Sequence, residues 1–178
     1  MTPIRTTALA LLLVTFSAHA RAAEGEHLDG AGVMPEGLPF SEAVRVDDTV
    51  YLSGQVGVKP GTLTLVDGGM AAEARQTLSN VRATLEASGL TMADVVKCTV
   101  MLADMSEWGA FNEIYQTIFE APYPARSAFG ASGLALGARV ELECIAVVRE
   151  PGPAQPMREE LIDQEERVER VYRRPGAQ

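Results

Sequence analysis

Six runs of residues have the length and composition of β-strands, and turn-forming residues separate them. They are residues 40–46, 49–55, 62–66, 95–102, 126–130 and 139–148. Between the first two runs, Asp47-Asp48 is typical of a hairpin turn. The pattern therefore predicts a strand-rich domain that begins near Phe40.

Two further segments repeat apolar residues every three or four positions, which predicts amphipathic helices. The buried face of the first is predicted at Ala71, Ala74, Leu78, Val81 and Leu85. The buried face of the second is predicted at Trp108, Phe111, Tyr115, Ile118 and Phe119. Gly89 is placed to end the first helix in the left-handed conformation, and Ser106 to cap the start of the second.

The resulting order, β-β-β-α-β-α-β-β, is that of an α+β domain with two helices on one face of a sheet. Both faces of such a sheet need a cover. Because the strands are strongly apolar, a partner subunit is the simplest cover for the face without helices.

The N-terminal residues have the pattern of a secretory signal. Arg5 precedes an apolar run at 8–16, and small residues at 17–23 then offer A-x-A cleavage sites. The run is shorter than the roughly 20 residues that span a bilayer. We therefore predict a signal peptide at 1–22 and a periplasmic or secreted protein with no membrane contact after cleavage. An uncleaved membrane anchor is the alternative.

Composition changes on both sides of the predicted domain, which we place at 36–150. Residues 23–35 are rich in Gly, Glu and Asp, and they predict a loose leader. From Pro151, a Pro-rich linker leads into a charged stretch at 157–172. For that stretch a solvated helix is the simpler interpretation and a small docking helix the alternative.

Cys98 and Cys144 lie within two of the predicted strands. We interpret them as buried free thiols, because a free cysteine behaves as a small hydrophobic residue. The alternative is a disulfide formed in an oxidising compartment. That bond requires the two strands to be neighbours, which the sequence alone does not establish.

Charge and histidine positions exclude several kinds of site. The formal net charge of −9, without a basic cluster, argues against a nucleic-acid partner. Both histidines, His19 and His27, precede the predicted domain, so the domain lacks the residue on which most hydrolytic triads and zinc sites depend. Gly68-Gly69 precedes a helix but lacks the lysine and spacing of a phosphate loop. We therefore expect neither a metal nor a cofactor.

Charged residues on otherwise apolar strands remain as candidates. In the last predicted strand, Glu141 and Glu143 share one face, and the other face is apolar. Arg126 follows a rigid, proline-containing entry into its strand, and an arginine held in this way can bind a carboxylate through two parallel hydrogen bonds. From the pattern alone, a surface salt bridge is favoured over a binding role for Arg126.

Six short motifs occur in one order along the predicted domain. They are 39–44 (PFSEAV), 52–55 (LSGQ), 76–80 (QTLSN), 111–115 (FNEIY), 124–127 (PARS) and 140–146 (VELECIA). Together they resemble the RidA/YjgF family, the reactive-intermediate (imine) deaminases formerly labelled L-PSP endoribonucleases. The resemblance covers about residues 36–148.

The resemblance implies a chorismate-mutase-like α+β fold, with a mixed β-sheet and two helices on one face. It also implies a homotrimer around a central barrel, with active sites in the clefts between subunits. RidA-like members hydrolyse 2-imino or enamino acids to 2-keto acids and ammonia without a cofactor. The implied partner is a small-molecule carboxylate substrate.

The resemblance also assigns roles by position. Arg126 matches the arginine that grips the substrate carboxylate, and Glu141 matches the glutamate that orients or activates water at the imine carbon. Such a pair suits the chemistry, because one arginine fixes the molecule and water then approaches from a known side. Ser53 and Gly54 match the strand that lines the cleft.

Four other positions complete the expected site. Asn112 and Tyr115 match helix positions near the cleft. Phe40 stands where RidA-like members usually have Tyr, and Ala128 stands where many have Cys. Both changes make the pocket more apolar.

Two other functions remain open at this point. A non-catalytic small-carboxylate binder or chaperone-like trimer on the same scaffold is the main alternative, because export separates the protein from cytoplasmic imino-acid metabolism. The endoribonuclease of the older family label is disfavoured by the acidic charge.

Overall fold

The computed structural model describes residues 24–149. The predicted signal peptide and charged tail lie outside the described residues. The strands are β1 Glu26–Leu28, β2 Ala43–Val46, β3 Thr49–Leu52, β4 Gln55–Val56, β5 Val95–Leu102, β6 Ala125–Gly130 and β7 Val140–Val147. The helices are α1 Gly69–Ala87 and α2 Trp108–Tyr115.

The strands form one mixed sheet in the order β1-β2-β3-β7-β5-β6, and β4 pairs with β7 beyond the end of β3. β5 and β6 run parallel, whereas the other pairs are antiparallel. Within the described residues, β6 is therefore an edge strand. The predicted α+β fold, with a mixed sheet and two helices, is confirmed.

Alternation along β7 separates a core face from an open face. Val140, Leu142, Cys144 and Ala146 are buried in the same core as α1 and α2. The intervening residues, from Glu141 to Val147, are half-buried or exposed. Burying one large aliphatic side chain contributes about 1.5–3 kcal/mol. This apolar layer therefore fixes which face of β7 meets the helices.

Two glycines set the position of α1. Gly89 has φ +74°, and the Leu90 and Gly89 amides donate to the carbonyls of Leu85 and Glu86, which ends the helix as predicted. At Gly57, a β-carbon would lie 2.9 Å from the backbone of Glu73. Glycine there lets α1 approach the sheet closely.

From Glu26 onward the leader is paired with the domain rather than loose, so that part of the prediction was wrong. β1 pairs with β2, and Asp29 accepts a hydrogen bond from the Glu42 amide. The buried Glu42 carboxylate in turn accepts hydrogen bonds from the amides of Ala31 and Met34. The Glu42 carboxylate thus satisfies two backbone N–H groups of the leader, and these hydrogen bonds hold the leader against the domain.

The strand predicted at 62–66 is also wrong. Lys59 and Thr64 close a turn through a backbone hydrogen bond, and only Leu65 makes an isolated bridge, to Val58. The Pro and Gly residues on either side of this segment were expected to mark the ends of a strand. Instead, the segment forms a turn. This conformation leaves the Leu63 side chain at the surface.

The start of the second helix also differs from the prediction. The Asp104 side chain, rather than that of Ser106, accepts the capping hydrogen bond, and a short 3₁₀ turn at Met105–Glu107 leads into α2. α2 ends at Tyr115, so Phe119 is not part of the helix. Its side chain is nevertheless buried, and it belongs to the turn that follows α2.

Cys98 and Cys144 form a disulfide between β5 and β7. The interpretation as free thiols was therefore wrong, and the alternative is the one observed. The two residues lie directly opposite each other in an antiparallel pair, on the core face. That adjacency follows from the sheet order, which strand patterns do not reveal.

Candidate active site

Arg126 lies on the helix-covered side of the edge strand β6. It is in register with Cys98, whose side chain is on the core face. Its guanidinium carbon is 4.6 Å from the ring centroid of Tyr115 and 5.0 Å from that of Trp108, both on α2. Stacking on two aromatic rings holds the cation in place without using its N–H donors.

The Arg126 guanidinium has no ion-pair or side-chain hydrogen-bond partner among residues 24–149, and the side chain is half-buried. Arg139, by contrast, contacts the carboxylates of both Glu73 and Glu107. An arginine with free donors in a fixed plane is suited to a bidentate carboxylate. The surface salt bridge favoured by pattern alone is not found in the described part of the chain.

The surroundings of Arg126 contain further polar atoms without partners. The Tyr115 hydroxyl and Asn112 Oδ1 are buried, and neither has a hydrogen-bond partner within the described residues. Burial raises the pKa of Tyr115, against the lowering effect of the Arg126 charge. Ala128 follows on the same face and packs on the core. The structure therefore groups four of the predicted residues: Arg126, Ala128, Asn112 and Tyr115.

Glu141 belongs to the opposite face of the sheet and lines a cavity of about 450 Å³. Ser53, Gly54 and Phe40 line the same cavity. A β-carbon at Gly54 would overlap the Glu141 carboxylate, so glycine makes room for that carboxylate. The Ser53 hydroxyl donates to the Ser41 carbonyl at 2.6 Å.

The pKa of Glu141 lies above its ordinary range. The first cause is partial burial, which disfavours the charged form, and the second is the negative charge of Glu143. A carboxyl group with a raised pKa is better matched to proton transfer near neutral pH than an exposed one. This electrostatic setting suits a group that exchanges a proton with water or with a substrate nitrogen.

The predicted site residues thus fall into two groups on opposite faces of one sheet. Arg126 faces the helices and Glu141 faces away from them. A single chain therefore does not bring the two predicted catalytic residues together around one molecule. The pairing through β5 explains this separation. Arg126 is in register with Cys98 and Cys98 with Cys144, and Glu141 lies three residues from Cys144, so the alternation along β7 turns Glu141 to the other face.

Trp108 packs against the core as predicted, but the sequence did not reveal that its ring also lies against Arg126. Trp108 and Tyr115 are seven positions apart, so both rings lie on one helix face. That spacing was the one sequence feature from which their shared contact with Arg126 could have been predicted. Met34 and Leu136, which line the Glu141 cavity, were also missed. They come from segments predicted as loops, where periodicity carries no information.

A larger cavity, of about 760 Å³, lies between the end of α1 and the segment before β6. Arg82 and Arg149 contribute to its lining, and Arg149 is tied to Asp94 and to the Ala93 carbonyl. None of the predicted site residues lines it. Size alone therefore does not identify the site, and we place it where the unpaired arginine and the perturbed glutamate lie.

Among residues 24–149, no three His, Cys, Asp or Glu side chains are grouped closely enough to hold a metal ion. In the same part of the chain, no helix has the length and apolar character needed to cross a membrane.

Several curated proteins similar to this chain are named 2-iminobutanoate/2-iminopropanoate deaminase. The 2-iminobutanoate/2-iminopropanoate deaminase of Mus musculus is 50% identical over 109 residues, which cover 61% of this chain and 81% of the relative. The human protein of the same name is 45% identical over 109 residues, covering 61% and 80%.

Solved structures agree in fold. The RidA structure from an Antarctic Psychrobacter species has a TM-score of 0.65 and 36% identity, covering 69% of this chain and 99% of that one. The E. coli TdcF structure with bound serine has a TM-score of 0.65 and 30% identity, covering 70% and 99%. The family model for endoribonuclease L-PSP matches residues 34–148. The chain therefore belongs to this family, also called RidA/YjgF, as its six motifs predict.

Proposed function

We propose that the protein hydrolyses 2-imino or enamino acids to 2-keto acids and ammonia, without a cofactor. The observation that carries the proposal is the Arg126 guanidinium, which is held by two aromatic rings and has no ion-pair partner among residues 24–149. Relatives that are 45–50% identical are named as imine deaminases. The serine bound in a related structure is also a small carboxylate.

In the proposed reaction, Arg126 binds the substrate carboxylate through two parallel hydrogen bonds and thereby fixes the neighbouring imine carbon. Glu141 accepts a proton from water as the water oxygen bonds to that carbon. That proton passes to nitrogen and gives a carbinolamine. The hydroxyl proton of the carbinolamine then moves to nitrogen by way of Glu141, the C–N bond breaks, and ammonia leaves as the carbonyl forms. Substrate and water become keto acid and ammonia, so no oxidant or reductant is needed.

We further propose that each site forms between two copies of the chain, within a homotrimer. Arg126 and Glu141 lie on opposite faces of one sheet, so a substrate that contacts both needs the second residue from a neighbour. Arg126 lies on an edge strand, which is accessible to a neighbour. The open face also carries the exposed Phe129, which a partner would cover.

We also propose that the protein is exported to the periplasm or secreted. The N-terminal pattern of a signal peptide supports this, and so does the disulfide between Cys98 and Cys144. Disulfides persist in oxidising compartments and are rare in the cytosol. Mass spectrometry of the exported protein would test the predicted cleavage near residue 22, and an intact N-terminus on membrane-bound protein would support the anchor instead.

The activity is tested by generating 2-iminopropanoate in situ and following its loss. We expect the wild type to exceed the rate in buffer, and Arg126→Ala and Glu141→Gln each to lose at least about a hundredfold in kcat/KM. Arg75→Ala, an exposed arginine on α1, and Glu113→Gln, an exposed glutamate on α2, are the matched controls. A wild-type rate equal to the rate in buffer would reject the proposed deaminase activity. Thermal stabilisation by carboxylates without turnover would indicate the non-catalytic carboxylate-binding protein instead.

A further inference from the structure

The cavity beside Glu141 has few polar residues in its lining. Apart from Glu141 and Ser53, its walls are formed mainly by apolar side chains. These are Met34, Leu38, Phe40, Val56, Leu63 and Leu136. At about 450 Å³ the cavity falls within the range of sites that enclose whole small molecules.

Large apolar side chains are exposed around this cavity. The exposed fraction is 49% for Phe40, 48% for Leu63 and 51% for Leu136. All three side chains line the cavity, so a ligand in the cavity would bury part of each. These three are a substantial share of the exposed large apolar residues in the described part of the chain, which number eight. Such a concentration around one concave surface indicates an apolar ligand or partner.

Leu136 supplies a second, independent observation. Its φ is +59°, in the left-handed region that a bulky residue rarely adopts. Gly137, the next residue, also has positive φ. Glycine or asparagine would meet the backbone requirement at 136 with less strain, so leucine at this position carries a conformational cost. The Leu136 side chain forms part of the rim of this cavity.

We infer that the cavity takes the side chain of a large apolar 2-imino acid, of the size derived from leucine or phenylalanine. This inference rests on the proposed function. With the imine carbon beside Glu141, a side chain that extends into this cavity meets mainly apolar walls. A methyl or ethyl group would leave most of the 450 Å³ unfilled. A branched or aromatic group would bury the exposed rim residues.

The exposed rim could instead be covered by a second copy of the chain. The two possibilities predict different results for a rim substitution. A substrate pocket changes the preference among side chains, whereas an interface changes the oligomeric state and affects all substrates alike.

The first test compares 2-imino acids made in situ from alanine, 2-aminobutyrate and leucine. We expect kcat/KM to rise by up to about fourfold for each added methylene that the cavity buries. The value for the leucine-derived imine should therefore exceed that for the alanine-derived imine by at least about tenfold. A flat or falling series would overturn the inference and leave the deaminase itself intact.

The second test uses Leu63→Ala, with Val96→Ala as the matched control. Val96 is an exposed apolar residue that does not line this cavity. Leu63→Ala should reduce the preference for the leucine-derived imine about tenfold, whereas Val96→Ala should leave that preference unchanged. Light scattering accompanies both variants. A Leu63→Ala protein with altered mass and equal losses on every imine would identify the rim as an interface and overturn the inference.

A third measurement reads the cavity without turnover. The product analogues pyruvate and 4-methyl-2-oxopentanoate are compared by thermal shift on the wild type. Binding of the branched keto acid at least about tenfold tighter supports the inference even if no imine is hydrolysed. Equal binding overturns it even if the deaminase reaction is confirmed. Failure of the proposed function and failure of the inference are thus separate outcomes.

Discussion

Arg126 and Glu141 are held by different means, although both are half-buried charged residues on one sheet. Arg126 rests on the rings of Trp108 and Tyr115, which orient a permanent cation and leave its donors free. Glu141 instead lies over Gly54 beside an apolar cavity, where partial burial raises its pKa. In the proposed mechanism, the first region binds the substrate carboxylate and the second exchanges a proton, so catalysis requires both.

The largest expected effect comes from mixing the two inactive variants. Arg126→Ala and Glu141→Gln chains, unfolded and refolded together in equal amounts, would form some sites with both native residues. If each site takes its arginine from one copy and its glutamate from another, activity should recover to about a quarter of wild type. Each variant refolded alone is the control and should stay at or below about one hundredth.

Absence of recovery, in mixed oligomers whose presence is verified by mass, would contradict the shared site. The two residues would then have to act separately, and the assignment of Glu141 as the partner of Arg126 would be lost.

The second effect concerns the bond that ties the two regions together. The disulfide joins β5, the neighbour of the strand that carries Arg126, to β7, which carries Glu141. The bond closes a loop with a sequence separation of 46. Replacing both Cys98 and Cys144 with Ala should lower the free energy of unfolding by about 4 kcal/mol, as measured by urea denaturation.

Reduction of the wild type provides the control for this variant. Once the thiols are reduced and the bond is confirmed to be open, most of the stability difference should disappear. Equal stability of the oxidised wild type and the double variant would show that the bond does not constrain the unfolded chain.

How much of this was predictable differs between the two regions. The strand alternation around Glu141 and the helix stripe ending near Leu85 are local periodicities, and the structure confirms both. The six motifs identified the family, which the family model and the relatives confirm. The activity predicted from those motifs is that of the named relatives.

The missed features depend on contacts between distant segments. The disulfide required β5 and β7 to be neighbours, and the stacking of Trp108 required α2 to cross over β6. The leader was predicted as loose because its composition resembles a linker, yet the Glu42 carboxylate holds its backbone amides. None of these contacts leaves a periodic signal along the chain.

A third, smaller effect is expected at Trp108, which we regard as a positioning residue for Arg126. Trp108→Leu removes one of the two rings under the guanidinium, so KM for the imine should rise about tenfold while kcat changes less. Trp108→Phe keeps an aromatic face and should restore most of the affinity. Equal losses in the Leu and Phe variants would show that only core packing has been disturbed.

The smallest effect separates the two causes of the raised pKa of Glu141. In the proposed mechanism Glu141 acts as a base in its charged form. The value of kcat/KM should therefore fall as pH decreases through the pKa of Glu141, at higher pH than for an ordinary glutamate. Glu143→Gln removes the like charge, so the acid limb should move to lower pH. Burial is the larger cause and remains, so the limb should stay above the ordinary glutamate range.

Glu113→Gln, far along α2, is the control and should not move the limb. A limb unmoved by Glu143→Gln would mean that another group titrates, and the proton-transfer role would pass from Glu141 to that group.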